Sequence, residues 1–216
     1  MRQPFEIKDQ GSSDLCFGCA VSSAAEELLG EPCDEAYSYA AGRAASGKPI
    51  SSRGLRPFDA LWGAIRYGVL PKSKSPYSLA SHSRDFLANI DNWESCAKDV
   101  AHPFGSLRKL GGFEDVLARA DSESIVVGIY WQPEWRGSIM GEVSEFSTWE
   151  PHEMRVLGSV DGMIALQDSK GTGSGDSGVW LMTSFAAKAM YHAYSLRAKR
   201  ESRTSALLHT ALRYGR

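Results

Sequence analysis

From Phe17 to Leu29 (FGCAVSSAAEELL) small and apolar residues fill nearly every position, which predicts a helix packed on most sides, ended by Gly30 and Pro32. Asp34 offers a side-chain cap to a second helix through Ala45, with Gly47 and Pro49 beyond its end. In PFDALWGAIRYG the apolar positions Leu61, Ala64 and Ile65 keep helical spacing; Pro57 stands near the start and Gly68 at the stop. Weaker helical patterns cover Ser83 to Val100 and Gly112 to Ala120.

The period then shortens. Ser124 to Tyr130 (SIVVGIY) is rich in β-branched residues, and three short runs follow: Glu153–Val160, Met163–Gln167 and Gly178–Met182. Asp161-Gly162 between the first two of these is a hairpin signal. The pattern predicts an α+β protein: a mainly helical lobe over 1–110, a β-rich lobe over 111–190, and a cleft where they meet. Residues 191–216 are expected to form a basic helical segment, with six Arg or Lys against one Glu between Arg197 and Arg216.

Composition narrows the function. The chain has 216 residues, 43% of them hydrophobic and 23% charged, with a formal net charge of −2, and that balance suits neither nucleic acid nor a membrane surface as the main partner. No apolar run reaches the roughly 20 residues of a spanning helix. MRQPFEIKDQG lacks the apolar centre of a secretory signal, so a cytoplasmic location is expected. There the four cysteines, Cys16, Cys19, Cys33 and Cys96, are expected as free thiols, mostly small buried apolar groups. Only Cys16 and Cys19 are spaced as a CxxC pair, so no metal site is expected.

Cys16 stands apart because it immediately precedes the first predicted helix. The positive end of a helix and its unpaired amides favour the thiolate form of such a group. Gly11, Ser12 and Ser13 make a flexible approach whose backbone N–H groups can converge on an anion. A nucleophile that cleaves amides also needs a proton donor for the leaving amine and donors for the oxyanion. Of five histidines, His152 is best placed, directly ahead of the strand EMRVLGSV; His82, His102, His192 and His209 lie in polar loops or helical segments. Asp168, at the end of the next strand, comes near His152 if the two strands form a hairpin.

Three separated segments together resemble the papain family of cysteine peptidases. KDQGSSDLCFGCA resembles the glutamine–glycine–x–x–x–x–cysteine–aromatic signature, PHEMRVLGSVDG the strand opened by the catalytic histidine, and LQDSKGTGSGDSGVWLM the asparagine–serine–tryptophan motif with the strand after it. The resemblance implies a papain-like fold with an antiparallel β-rich second lobe. It implies Cys16 as nucleophile, His152 as acid/base, Gln10 in the oxyanion hole and Asp168 in place of the usual asparagine. SSRGLRPFDALWGAIRYGV is similar to the family's cleft-wall segment, which implies Gly54 and Leu55 along the substrate groove, with Pro151 on the facing side.

The chain departs from that pattern at several places. Ser13, Asp14 and Leu15 replace cysteine–glycine–serine, so a common disulfide is missing. Lys170 and Ser174 stand where the family has two tryptophans, which predicts a less shielded histidine. Pro151 and Glu153 flank His152 where small residues are commoner, which predicts a narrower or more acidic cleft. The resemblance implies a peptidase acting on a polypeptide or protein substrate without a cofactor. With no room for an inhibitory propeptide, control by a regulatory protein partner is expected. Two other readings stay open: a papain-fold binding module without activity, and a thiol–disulfide oxidoreductase using Cys16 and Cys19.

Overall fold

The computed structural model describes residues 1–11, 13–49, 55–76, 93–143 and 150–199. Three helices come first: α1 (Cys16–Leu29), α2 (Glu35–Ala45) and α3 (Pro57–Tyr67). Their ends follow the local chemistry expected. Gly30 closes α1 in the left-handed conformation, with φ of 73°. The Asp34 carboxylate accepts from the Tyr37 N–H at the start of α2, and Pro57 opens α3. Small residues let the helices approach closely: a Cβ added at Gly63 would fall 2.5 Å from the Gly42 nitrogen.

The sheet has seven strands: β1 (Phe104–Lys109), β2 (Ser124–Trp131), β3 (Ile139–Met140), β4 (Glu150–Val160), β5 (Met163–Gln167), β6 (Val179–Met182) and β7 (Met190–Ala198). Their order is β1-β7-β2-β4-β5-β6-β3, antiparallel except where β3 meets β6. Asp161 and Gly162, both at positive φ, make the β4–β5 turn as expected. A short α4 (Phe113–Leu117) covers part of the predicted 112–120 helix.

Side chains of β2 alternate between two cores. Ile125, Val127 and Ile129 join a sheet core with Met154, Val156 and Leu166, while Val126 joins the helical core of α1, α2 and α3. The fold is therefore α+β with a cleft between the two bodies, as the sequence implied.

Three expectations need correction. Residues 190–198 form β7, in the interior of the sheet between β1 and β2, and not the start of a helical segment; His192 accordingly lies on a strand. Pairing on both edges sets the strand there, with no signal from the local sequence required. Within 1–110, β1 belongs to the sheet. Trp93–Asp99 is a 3-10 helix, and residues 83–92, like 200–216, lie outside the described residues.

The N-terminal segment fastens the two bodies together. Lys8 Nζ is almost fully buried, 2.8 Å from Glu26 of α1 and 3.1 Å from both Glu35 of α2 and Glu6, and it donates to the Cys33 carbonyl at 2.8 Å. Burial opposes its charge, but Glu35 and Glu26 outweigh that and hold its pKa above the ordinary lysine value. Replacing Lys8 by Met leaves Glu26 and Glu35 buried without their cation, and the expected loss is roughly 3–5 kcal/mol of folding stability. Urea unfolding of Lys8→Met against the parent protein measures it; an unchanged midpoint would contradict this account of the cluster.

Candidate active site

Cys16 occupies the first turn of α1, at the floor of a cleft of about 610 Å³. No side chain caps α1, and no acidic residue stands in its first turn, so the positive end of the helix is left for the sulfur. Leu55, Arg56 and Pro57 line the cleft on the α3 side; Trp131, Glu150, Pro151, His152 and Tyr191 line it from the sheet. Leu55 and Pro151 are thus both part of the cleft lining, while Gly54 lies outside the described residues.

The β4–β5 hairpin brings His152 and Asp168 together. His152 Nε2 lies 2.7 Å from Asp168 Oδ1, which leaves Nδ1 for Cys16. Burial works against charge on the imidazole, but hydrogen bonds to Asp168 and to Cys16 outweigh it and raise the His152 pKa to about 9. Asp168 is itself buried, which resists ionisation, yet the His152 bond, the Ser174 hydroxyl and the Ser169 N–H hold its pKa below the ordinary value. At neutral pH the pair is imidazolium and carboxylate.

Gln10 is set from the same loop. Its backbone N–H donates to the Ser169 carbonyl at 2.8 Å, and its Oε1 accepts from Ser169 Oγ at 2.5 Å. The amide Nε2 then faces the helix start, where one N–H donates to the Ser13 carbonyl at 3.0 Å and the other remains.

The missing tryptophans are made good from elsewhere. Trp131, at the end of β2, sets its ring edge-on to His152 with centroids 5.8 Å apart, and Trp180 of β6 packs edge-on against Trp131 at 4.9 Å. Lys170 lies over the Trp131 ring, its Nζ 4.3 Å from the centroid. Ser174 accepts from the Trp180 indole N–H and donates to Asp168 Oδ2. His152 is only 4% exposed, so the expectation of a less shielded histidine is overturned. The sequence signal for Trp131 is its place closing the run SIVVGIYW; nothing in the sequence singles out the Ser174 hydroxyl as a partner for Asp168.

Glu153 does not acidify the cleft. It is buried, on the sheet face shared with Val126, and pairs with His192 Nε2 at 2.7 Å across Gly128, where any Cβ would meet the His192 ring at 2.2 Å. Cys19 lies in the helical core at 2% exposure; burial, with Glu35 nearby, pushes its thiol well above the ordinary range. All four cysteines are free and buried. Among the described residues no cluster of potential metal ligands occurs, and no helix is long and apolar enough to cross a membrane.

No protein-family model and no curated protein matches this chain. Solved structures do. The crystal structure of xylellain, a cysteine protease from Xylella fastidiosa, superposes with a TM-score of 0.79 at 16% identity, over 92% of this chain and 84% of that one. The Carica candamarcensis cysteine protease CMS1MS2 in complex with E-64 gives 0.66 at 15% identity, over 92% and 94%. Digestive procathepsin L 3 of Tenebrio molitor larval midgut gives 0.65 at 18%, over 90% and 67%. This chain has the papain-like fold of cysteine proteases.

If Asp168 supplies the charge that sustains the imidazolium, Asp168→Asn lowers the His152 pKa from about 9, because burial then meets less opposition. NMR titration of the His152 ring protons measures the shift; a value that stays near 9 would count against that origin.

Proposed function

We propose that this chain is a cysteine peptidase that hydrolyses peptide bonds of polypeptide or protein substrates, with Cys16 as nucleophile, His152 as acid/base, Asp168 orienting His152, and Gln10 in the oxyanion hole. One observation carries the reading: a buried imidazole, raised to about 9, stands between a carboxylate and a thiol at an uncapped helix start. That setting holds the proton on His152, beside the thiol that acts as nucleophile.

In the first step Cys16 Sγ bonds to the substrate carbonyl carbon, and the carbonyl π electrons move to oxygen. The Cys16 backbone N–H and the remaining Gln10 N–H donate to that oxyanion. As the tetrahedral species collapses, the C–N bond breaks and the His152 Nδ1 proton goes to the departing amine. His152, now neutral, takes a proton from water, whose oxygen attacks the thioester; the acid leaves and the sulfur–imidazolium pair returns. Because Asp168 carries a full charge where an amide would be neutral, the imidazolium is held more strongly.

Burial pushes the Cys19 thiol well above its ordinary range, which speaks against a Cys16–Cys19 redox couple, because exchange runs through the thiolate. The proposal includes the cytoplasmic location and the regulatory protein partner expected from the sequence.

The deciding experiment treats the purified protein with a peptidyl epoxide and maps the adduct by mass spectrometry. A single adduct on Cys16 is expected, lost in His152→Ala and unaffected by Cys19→Ala. Labelling spread over both cysteines regardless of His152 would sink the proposal. On a cleavable peptide, kcat/KM is expected to fall on the alkaline side as His152 loses its proton near pH 9. Gln10→Ala is expected to lower kcat by about a hundredfold; an unchanged kcat would remove Gln10 from the oxyanion hole.

A further inference from the structure

Behind Lys170 a second hollow of about 530 Å³ opens on the outer side of the Asp168 loop. Trp135, Arg136, Ser174 and Trp180 line it, and Lys170 lines both this hollow and the catalytic cleft. Among the described residues its lining includes two cations and no acid. Among the described residues neither Arg136 nor Lys170 is joined to a carboxylate; Arg136 donates to the Pro133 and Trp135 carbonyls, and Lys170 rests on the Trp131 ring. Trp135 and Trp180 supply apolar walls, and the Trp135 indole N–H has no partner among the described residues.

The direction of the chemistry says what reaches this hollow. His152 hands its proton to the leaving amine, so the departing part of the substrate passes the His152 side of the cleft. Trp131 forms that side, with its ring edge against His152 and its face under Lys170. A chain leaving over Trp131 meets Lys170 first and Arg136 beyond it. We propose that the hollow binds a carboxylate on the leaving-group segment of the substrate, either an acidic side chain or a free C-terminus. This rests on the peptidase reading and adds to it a selectivity for acidic leaving segments. Arg136 and Lys170 are both exposed, and two exposed cations facing one hollow still favour a carboxylate over an amide of the same shape, the more so at low salt.

Binding to the Cys16→Ala protein, read by fluorescence anisotropy, tests the hollow apart from turnover. One peptide series places Glu, Gln or Lys at successive leaving-side positions with an amidated end; a second compares free and amidated C-termini on a neutral peptide. In one series the carboxylate is expected to bind about tenfold tighter than its amide. The series that shows it identifies the source. Arg136→Ser and Lys170→Met are expected to flatten that preference, and Arg136→Glu to reverse it. Equal binding of acid and amide in both series, no binding at all, or a preference that survives both substitutions would overturn the proposal. A parent protein that cleaves neutral and acidic peptides alike loses only the hollow. One that selects carboxylates through Arg136 yet neither cleaves nor takes the epoxide loses the peptidase reading and keeps it.

Discussion

The Lys8 ammonium sits almost without solvent among Glu6, Glu26 and Glu35, so three separate pieces of chain must meet around one charge. Ion pairs this deeply buried contribute little net stability; their strength lies in tolerating no other arrangement. Here the arrangement matters at the active site. The segment that Lys8 anchors continues through Asp9, which bridges to Lys170, and Gln10, which bonds to Ser169. Gly171 N–H returns to the Lys8 carbonyl, and Gln167 Nε2 donates to the Glu6 carbonyl. Gln10, proposed for the oxyanion hole, and the loop that carries Asp168 are thus set by one lace, tied at Lys8 to the helices that present Cys16.

Charge and shielding are redistributed within that frame. A neutral amide beside the imidazole asks less of its surroundings than a carboxylate does. Asp168 is satisfied on both oxygens, by His152 and Ser169 on one and Ser174 on the other. Ser174 therefore stands where a hydroxyl is required once the amide becomes an acid. The aromatic cover moves from that loop to β2 as Trp131, and Lys170 spreads a cation over its outer face.

How much of this the chain announced depends on how local each signal is. α1, α2 and α3 follow from their caps, glycines and spacing, and the β4–β5 hairpin from Asp161-Gly162 between two apolar runs. The three site segments were legible because each keeps its residues at fixed offsets, and the hairpin then sets His152 against Asp168. β1 was not legible: FGSLRK carries a glycine and two cations, suited to an outer edge and unlike a buried strand. β7 was hidden because its stability comes from two distant partners. Trp131 was missed for the same reason, since only the β2–β4 register brings it beside His152. Its neighbours on the far face, Glu153 and His192, meet only because position 128 has no side chain.

His152 and Asp168 lie sixteen residues apart on one hairpin, whereas their sulfur partner lies in the first helix. During translation Cys16 leaves the ribosome with well over half of the chain still to be made before His152 follows. A nascent or truncated polypeptide therefore holds a thiol without its base, and β7, needed to complete the sheet around β2, emerges later still. On the peptidase reading proposed above, synthesis order alone keeps thiol and base apart until β7 can complete the sheet around β2.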